Sequence, residues 1–214
     1  MHPTPPRSLF AFLCAAALAL GVAAAATPRA FVEDNAQKVL TILNSSATED
    51  EKIKQLELLA GTTIDFETVS RLVLAKSWKE FSPDQRVAFQ QEFKKALSVT
   101  YGRRIGQYGR EKIVVVGERP EQLGDVTVQS KIVGGQVSGE LKVDYRLRQK
   151  DGQWYVIDII VEGVSIVSSY RSQFQEVVGQ GGPPKLLAQL REKNANGEGL
   201  APVESETSAV QAGQ

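Results

Sequence analysis

The stretch VSGELKVDYRLRQKDGQWYVIDIIVE, Val137 to Glu162, carries the reading of the fold. Its first half alternates strictly. Leu141, Val143, Tyr145 and Leu147 point one way, and Glu140, Lys142, Asp144, Arg146 and Arg148 point the other. A period of two with one apolar and one charged side is a strand packed on one face and wet on the other. Asp151-Gly152 is a two-residue hairpin turn, because both central positions of such a turn need the left-handed conformations that Asp and Gly tolerate. The returning strand, Gln153 to Glu162, carries Tyr155, Ile157, Ile159 and Val161 on one face and Trp154, Val156, Asp158 and Ile160 on the other. Upstream, Lys112 to Glu118 and Asp125 to Val133 read as two more strands, and Gly134-Gly135 joins the second to Val137. Four strands are therefore expected, the last three as an antiparallel meander.

On either side the period shifts to that of a helix. Val32, Ala36, Val39, Leu40 and Leu43 form one stripe, and Thr48 with Glu51 makes a capping box ahead of Ile53, Leu56 and Leu59. Asp65 caps a segment with Val69, Leu72 and Val73 that ends near Trp78. The clearest start is Ser82-Pro83-Asp84-Gln85, with Pro at the first helical position and Gln completing the box. Its stripe runs Phe89, Phe93, Leu97, Tyr101, Ile105 and Tyr108. After Gly163, Val164, Val167, Tyr170, Phe174 and Val177 share a side. The Gly179 to Pro184 break then precedes a short closing helix with Leu186, Leu187 and Leu190. Helices, a meander and helices again predict an α+β domain, with N-terminal helices, a four-stranded, mainly antiparallel curved sheet and C-terminal helices.

The ends of the chain read differently from this domain. Arg7, the apolar run Leu9 to Val22 and Ala24-Ala25-Ala26 have the three parts of a signal peptide, residues 1–26, cleaved before Thr27. The only Cys (Cys14) and the only His (His2) lie inside that segment. The mature chain is then expected to lack a thiol nucleophile, a disulfide, a Cys/His metal site and a histidine base. Losing Arg7 turns 25 basic and 25 acidic residues into 24 and 25. A near-neutral exported chain is a poor match to nucleic acid, whose binding rests on excess Lys and Arg. Residues 195–214, rich in Gly, Ala, Ser and Glu, read as a disordered polar tail outside the fold.

Enzymatic signatures are sparse. The chain has no Gly-rich phosphate loop, G-x-S-x-G elbow or Ser-x-x-Lys motif. Its carboxylates leave a two-carboxylate hydrolase as an alternative, but most of them fall on polar faces. Asp158 interrupts an apolar strand and reads as structural, paired with Arg171 or with backbone amides, because an unpartnered buried charge is too costly.

The segment Gly152-Gln153-Trp154-Tyr155-Val156-Ile157-Asp158, then Val161-Glu162-Gly163-Val164-Ser165 and Tyr170-Arg171-Ser172-Gln173-Phe174, is similar to the MlaC family, also called the toluene-tolerance (Ttg2-type) auxiliary family. Trp78, Ser82 to Arg86, Phe89, Phe93, Leu97, Tyr101 and the Leu186, Leu187, Leu190 helix extend the resemblance, which covers Phe31 to about Asn194. It implies a lipid-binding domain over residues 27–194 that encloses an apolar pocket. It also implies a monomeric periplasmic carrier with no catalytic residue, metal or cofactor. The carrier would shuttle phospholipid between an outer-membrane lipoprotein complex and an inner-membrane ABC transporter with an MCE-type subunit. A hopanoid is the alternative cargo. The pocket is expected on the apolar side of the third and fourth strands with the long helix laid across it. Its expected lining is Phe93, Leu97, Tyr101, Leu141, Val143, Tyr145, Tyr155, Ile157, Ile159 and Val161, with Val164 and Tyr170 near the mouth.

Overall fold

The computed structural model describes residues 26–106 and 109–201. The segment read as a signal peptide (all but Ala26), Tyr108 of the helix stripe and residues 202–214 of the tail lie outside the described residues.

Five helices and five strands follow in the order α1 (Pro28–Leu43), α2 (Glu49–Thr63), α3 (Phe66–Leu74), α4 (Pro83–Gly106), β1 (Glu111–Pro120), β2 (Val126–Gly134), β3 (Val137–Lys150), β4 (Gln153–Val161), β5 (Val164–Ser165) and α5 (Ile166–Asn196). The capping residues read from the sequence act as such. Thr48 and Glu51 bond reciprocally at the start of α2, Asp65 accepts from the Thr68 amide at the start of α3, and Ser82 and Gln85 exchange bonds of 2.9 and 3.2 Å at the start of α4. Each satisfies amides that the first helical turn leaves without an intrahelical partner. Helix α3 stops at Leu74, short of Trp78, because Ala75 turns to φ 47° and a 3₁₀ segment carries the chain through Glu80.

The strands make one antiparallel sheet in chain order, β1-β2-β3-β4-β5. The expected four become five because Val164–Ser165, read as the start of a helix, first pairs back onto Ile160 and Val161 before Ser165 caps α5. The break between Gly179 and Pro184 resolves to Gly181 and Gly182, whose non-helical dihedrals (Gly182 at φ 67°) divide α5 before Pro183 and Pro184.

Among the described residues two apolar clusters form the core. One is helical, with Val73, Leu74, Phe81, Phe89, Phe93, Tyr170, Phe174, Leu186 and Leu190 sealed between α3, α4 and α5. The other lies under the sheet, where Val32 of α1 meets Val128, Leu147 and Val156. Ile64, whose neighbour Asp65 donates its amide to the Val156 carbonyl at 3.1 Å, packs against both. Leu200 is buried against the helical cluster and its amide donates to Thr100 Oγ1 at 2.7 Å. The domain therefore continues through residues 195–201, which composition alone assigned to the tail.

Charge pairing secures the outer side of the sheet. Asp125 precedes β2 with its side chain wholly buried and accepts four bonds of 2.7–3.1 Å from Arg146 and Arg148 of β3. Burial by itself would raise the Asp125 carboxyl, but the bonds and charges of the two arginines outweigh it and hold the group below its ordinary value.

Candidate functional site

The register of the sheet settles which side chains share its inner face. Cross-strand partners in an antiparallel sheet project to the same side. Four rows result: Pro120, Val126, Leu147 and Val156; Glu118, Val128, Tyr145 and Ile159; Val115, Ser130, Val143, Val161 and Val164; and Ile113, Ile132 and Leu141, with Glu118 exposed at the β1 edge. The first row is closed beneath Phe31 and Val32 of α1. Beyond it the face opens, and Ile113, Ile132, Leu141, Ile159, Val161 and Val164 are only half-buried.

One residue alters the face read for β4. The pairing steps from Arg146–Asp158 to Leu147–Val156, so Ile157 is an extra residue in a β-bulge. A bulge reverses the alternation on one side of itself. Ile159 and Val161 therefore lie on the inner face with Val156 and Trp154, whereas Tyr155 turns to the outer side with Asp158 and Ile160. Tyr155 lines a surface groove with Ile64, Asp65, Lys94 and Lys150, and its hydroxyl donates to Gln153 at 3.0 Å. Ile157 itself is wholly buried at the bulge.

The helical residues expected in the pocket also separate. Phe93 is fully sealed, stacked on Phe89 at 5.4 Å and edge-on to Tyr170 and Phe174 at 5.7 and 5.4 Å. Tyr170, also fully sealed, holds its hydroxyl 3.2 Å from that of Tyr101 and 3.2 Å from the Ala201 carbonyl. Leu97 and Tyr101 pack against the same cluster. The reason is the position of α4, which packs chiefly on α2, α3 and α5, while the helix lying on β1 and β2 is α1. Phe93 and Tyr170 therefore build the helical core. The sheet residues Leu141, Val143, Tyr145, Ile159, Val161 and Val164 come together as expected, joined by Val128, Ser130 and Ile132 of β2 and Ile113 of β1. The alternation of β2 was the signal for that addition.

Asp158 resolves as a junction. Its carboxylate accepts from Ser165 Oγ at 2.6 Å and from the Val167 amide at 3.1 Å, and Ser165 in turn accepts from the Ser168 amide. Burial pushes its pKa up, against these bonds. Arg171, the expected partner, instead donates to the Leu72 carbonyl at 2.8 Å and ties α5 to α3. Among the described residues no group of His, Cys, Asp and Glu is arranged to hold a metal ion.

Polar groups on the inner face are few. Ser130 Oγ donates to the Val143 carbonyl and Trp154 Nε1 to the Ala26 carbonyl at 2.9 Å. Tyr145 differs. Protein surrounds it so completely that loss of water pushes its phenol up to about 12, yet part of its surface remains accessible. The arrangement can thus take a long apolar ligand against an open sheet face, and it assembles no nucleophile with a base.

A model described as MlaC protein matches residues 33–192 of the chain. The chain is 25% identical over 173 residues to the toluene tolerance protein ttg2D of Pseudomonas putida, spanning 78% of this chain and 80% of that one. It is 22% identical over 134 residues to the intermembrane phospholipid transport system binding protein MlaC of Haemophilus influenzae, spanning 60% of this chain and 62% of that one. A solved structure of the phospholipid-binding protein from Ralstonia solanacearum, in complex with a phospholipid, shares the fold. Its TM-score is 0.71 at 24% identity, covering 80% of this chain and 99% of that one.

Proposed function

The chain belongs to the MlaC family, and on that footing we propose that it is a periplasmic carrier that binds phospholipid by its acyl chains and passes it between membrane transport complexes. The observation that carries this reading is the open inner face of the sheet, where Tyr145 is deep but accessible beside half-buried Leu141, Ile159 and Val161. A packed core has few voids larger than a water molecule. Contiguous apolar side chains left half-exposed on one sheet face support a place for an apolar ligand.

Transfer energetics suit such a site. Two acyl chains hold roughly 30 methylenes, each gaining about 0.8 kcal/mol on leaving water, more than about 20 kcal/mol together. A free lipid therefore does not cross an aqueous gap unaided. A bilayer offers nearly the same gain, so the difference between pocket and membrane is small, and docking at each end can tip it. The proposed donors and acceptors are an outer-membrane lipoprotein complex and an inner-membrane ABC transporter with an MCE-type subunit. The working form begins at Thr27, whose hydroxyl already accepts from the Ala30 amide as the cap of α1. Among the described residues no helix is long and apolar enough to cross a membrane.

Native mass spectrometry of the protein purified without detergent tests the proposal. Phospholipid bound at one molecule or more per chain is expected. A bound hopanoid would keep the carrier and change its cargo, and protein carrying no lipid and taking none from vesicles would overturn it.

A further inference from the structure

The inner face of the sheet carries few polar side chains: exposed Glu118 at the β1 edge, Ser130 and Tyr145, with Trp154 past the first row. Ser130 is bonded to the Val143 carbonyl; the Trp154 indole meets the Ala26 carbonyl, which the proposed cleavage before Thr27 removes, and it lies past the closed first row, away from the open end of the face. The carboxylates and arginines of β3 lie on the opposite side, where Asp125 gathers Arg146 and Arg148. Among the described residues the Tyr145 hydroxyl has no hydrogen-bond partner, and the residue sits between Val128 and Ile159 in the second row, where the closed end of the face meets the open end. The Tyr145 hydroxyl is not among the buried atoms without a partner, so it faces accessible space and is free to donate to an acceptor that enters there. Phenylalanine would fill the same space with no hydroxyl to offer.

Resting on the carrier reading, we infer that Tyr145 donates a hydrogen bond to an acyl-ester carbonyl of the bound lipid and so sets how deep the glycerol end enters the pocket. A neutral carbonyl is favoured over a phosphate oxygen by the surroundings. Among the described residues, no Lys or Arg shares the inner-face rows with Tyr145, and an anion drawn in without a counter-charge would be strongly disfavoured. Burial pushes the phenol up to about 12, which agrees with a donor that stays neutral throughout the physiological range.

The test loads mature wild type and Tyr145→Phe from vesicles holding equal amounts of a diester phosphatidylethanolamine and its dialkyl-ether counterpart, matched in chains and headgroup. Native mass spectrometry then reads the ratio bound. Wild type is expected to prefer the ester by about fivefold, the worth of one net hydrogen bond. Tyr145→Phe should bring the ratio to about one and leave the thermal midpoint of the delipidated protein unchanged or higher. An equal ratio in both proteins overturns the assignment. So does an equal loss of both lipids in the variant, which would place the bond on the phosphate or make the effect one of folding. Failure of wild type to load either lipid would instead bring down the carrier reading itself.

Discussion

Val161→Trp distinguishes a ligand cavity from an ordinary core. Val161 lies in the third row of the inner face, half-buried, beside Val143, which is already sealed. An indole there projects into the space proposed for acyl chains and takes the room of about three methylenes. At about 0.8 kcal/mol each this removes about 2.4 kcal/mol of ligand binding, which is roughly a 50-fold rise in Kd. The delipidated protein, with the space empty, should lose almost no stability. Were the face closed by other side chains, the same substitution would overpack a solid core and cost about 1–3 kcal/mol. That corresponds to a fall of about 3–10 °C in Tm for a domain of this size. Lipid competition binding and a thermal melt of the stripped protein are therefore read together. Weakened binding with an unmoved melt is expected, whereas a lowered melt with unchanged lipid affinity would refute the existence of the cavity.

Three further outcomes follow from contacts outside the proposed pocket. Asp125→Ala leaves Arg146 and Arg148 without their shared buried carboxylate and should cost about 3 kcal/mol in denaturant unfolding. Because the Asp125 carboxyl lies below its ordinary value of 3.8, its stabilisation is complete above that pH and fades as pH falls through the lowered folded value. Wild type should thus lose stability in that acid range more steeply than the variant, and parallel curves would count against the assignment. Asp158→Ala removes the acceptor for Ser165 and the Val167 amide and should cost about 1–3 kcal/mol, with faster hydrogen exchange at the start of α5. A chain ending at Asn194 should melt below one ending at Ala201, since it loses buried Leu200, about 1.5–3 kcal/mol, and its bond to Thr100. Equal melting of the two chains would return residues 195–201 to the tail.

What the sequence displayed was local chemistry, and local chemistry determined the elements. The Thr48, Asp65 and Ser82 caps and the Asp151-Gly152 turn each act between residues close in the chain, and each fell where it was read. Long-range placement was less visible. The stripe holding Phe89, Phe93, Leu97 and Tyr101 predicts that α4 buries one side, but the same stripe serves equally against a sheet or against two other helices. Only Tyr170 and Phe174, arriving from α5 some eighty residues later, decide for the second. Leu200 was hidden for a related reason: a single apolar side chain in a polar stretch has no period, and its partners Thr100 and the helical cluster lie far back in the chain.

The site shows the same division at finer scale. Leu141, Val143, Tyr145 and Leu147 were legible because β3 alternates without interruption. On β4 both sides are rich in aliphatic and aromatic residues, so composition holds no preference between them, and strict alternation puts Ile159 and Val161 on the face of Val143 and Tyr145 only beyond the bulge. The extra residue at Ile157 puts Val156 and Ile159 on one face, three positions apart, and sends Tyr155 to the other. It also leaves Asp158 pointing outward, where it can accept from Ser165 and Val167 and fix the start of α5. A strand without the bulge could not both hold Asp158 on that outer junction and keep Trp154 and Val156 in line with Ile159 and Val161. The single irregular residue thus lets one strand complete the apolar inner face on one side and anchor the last helix from the other.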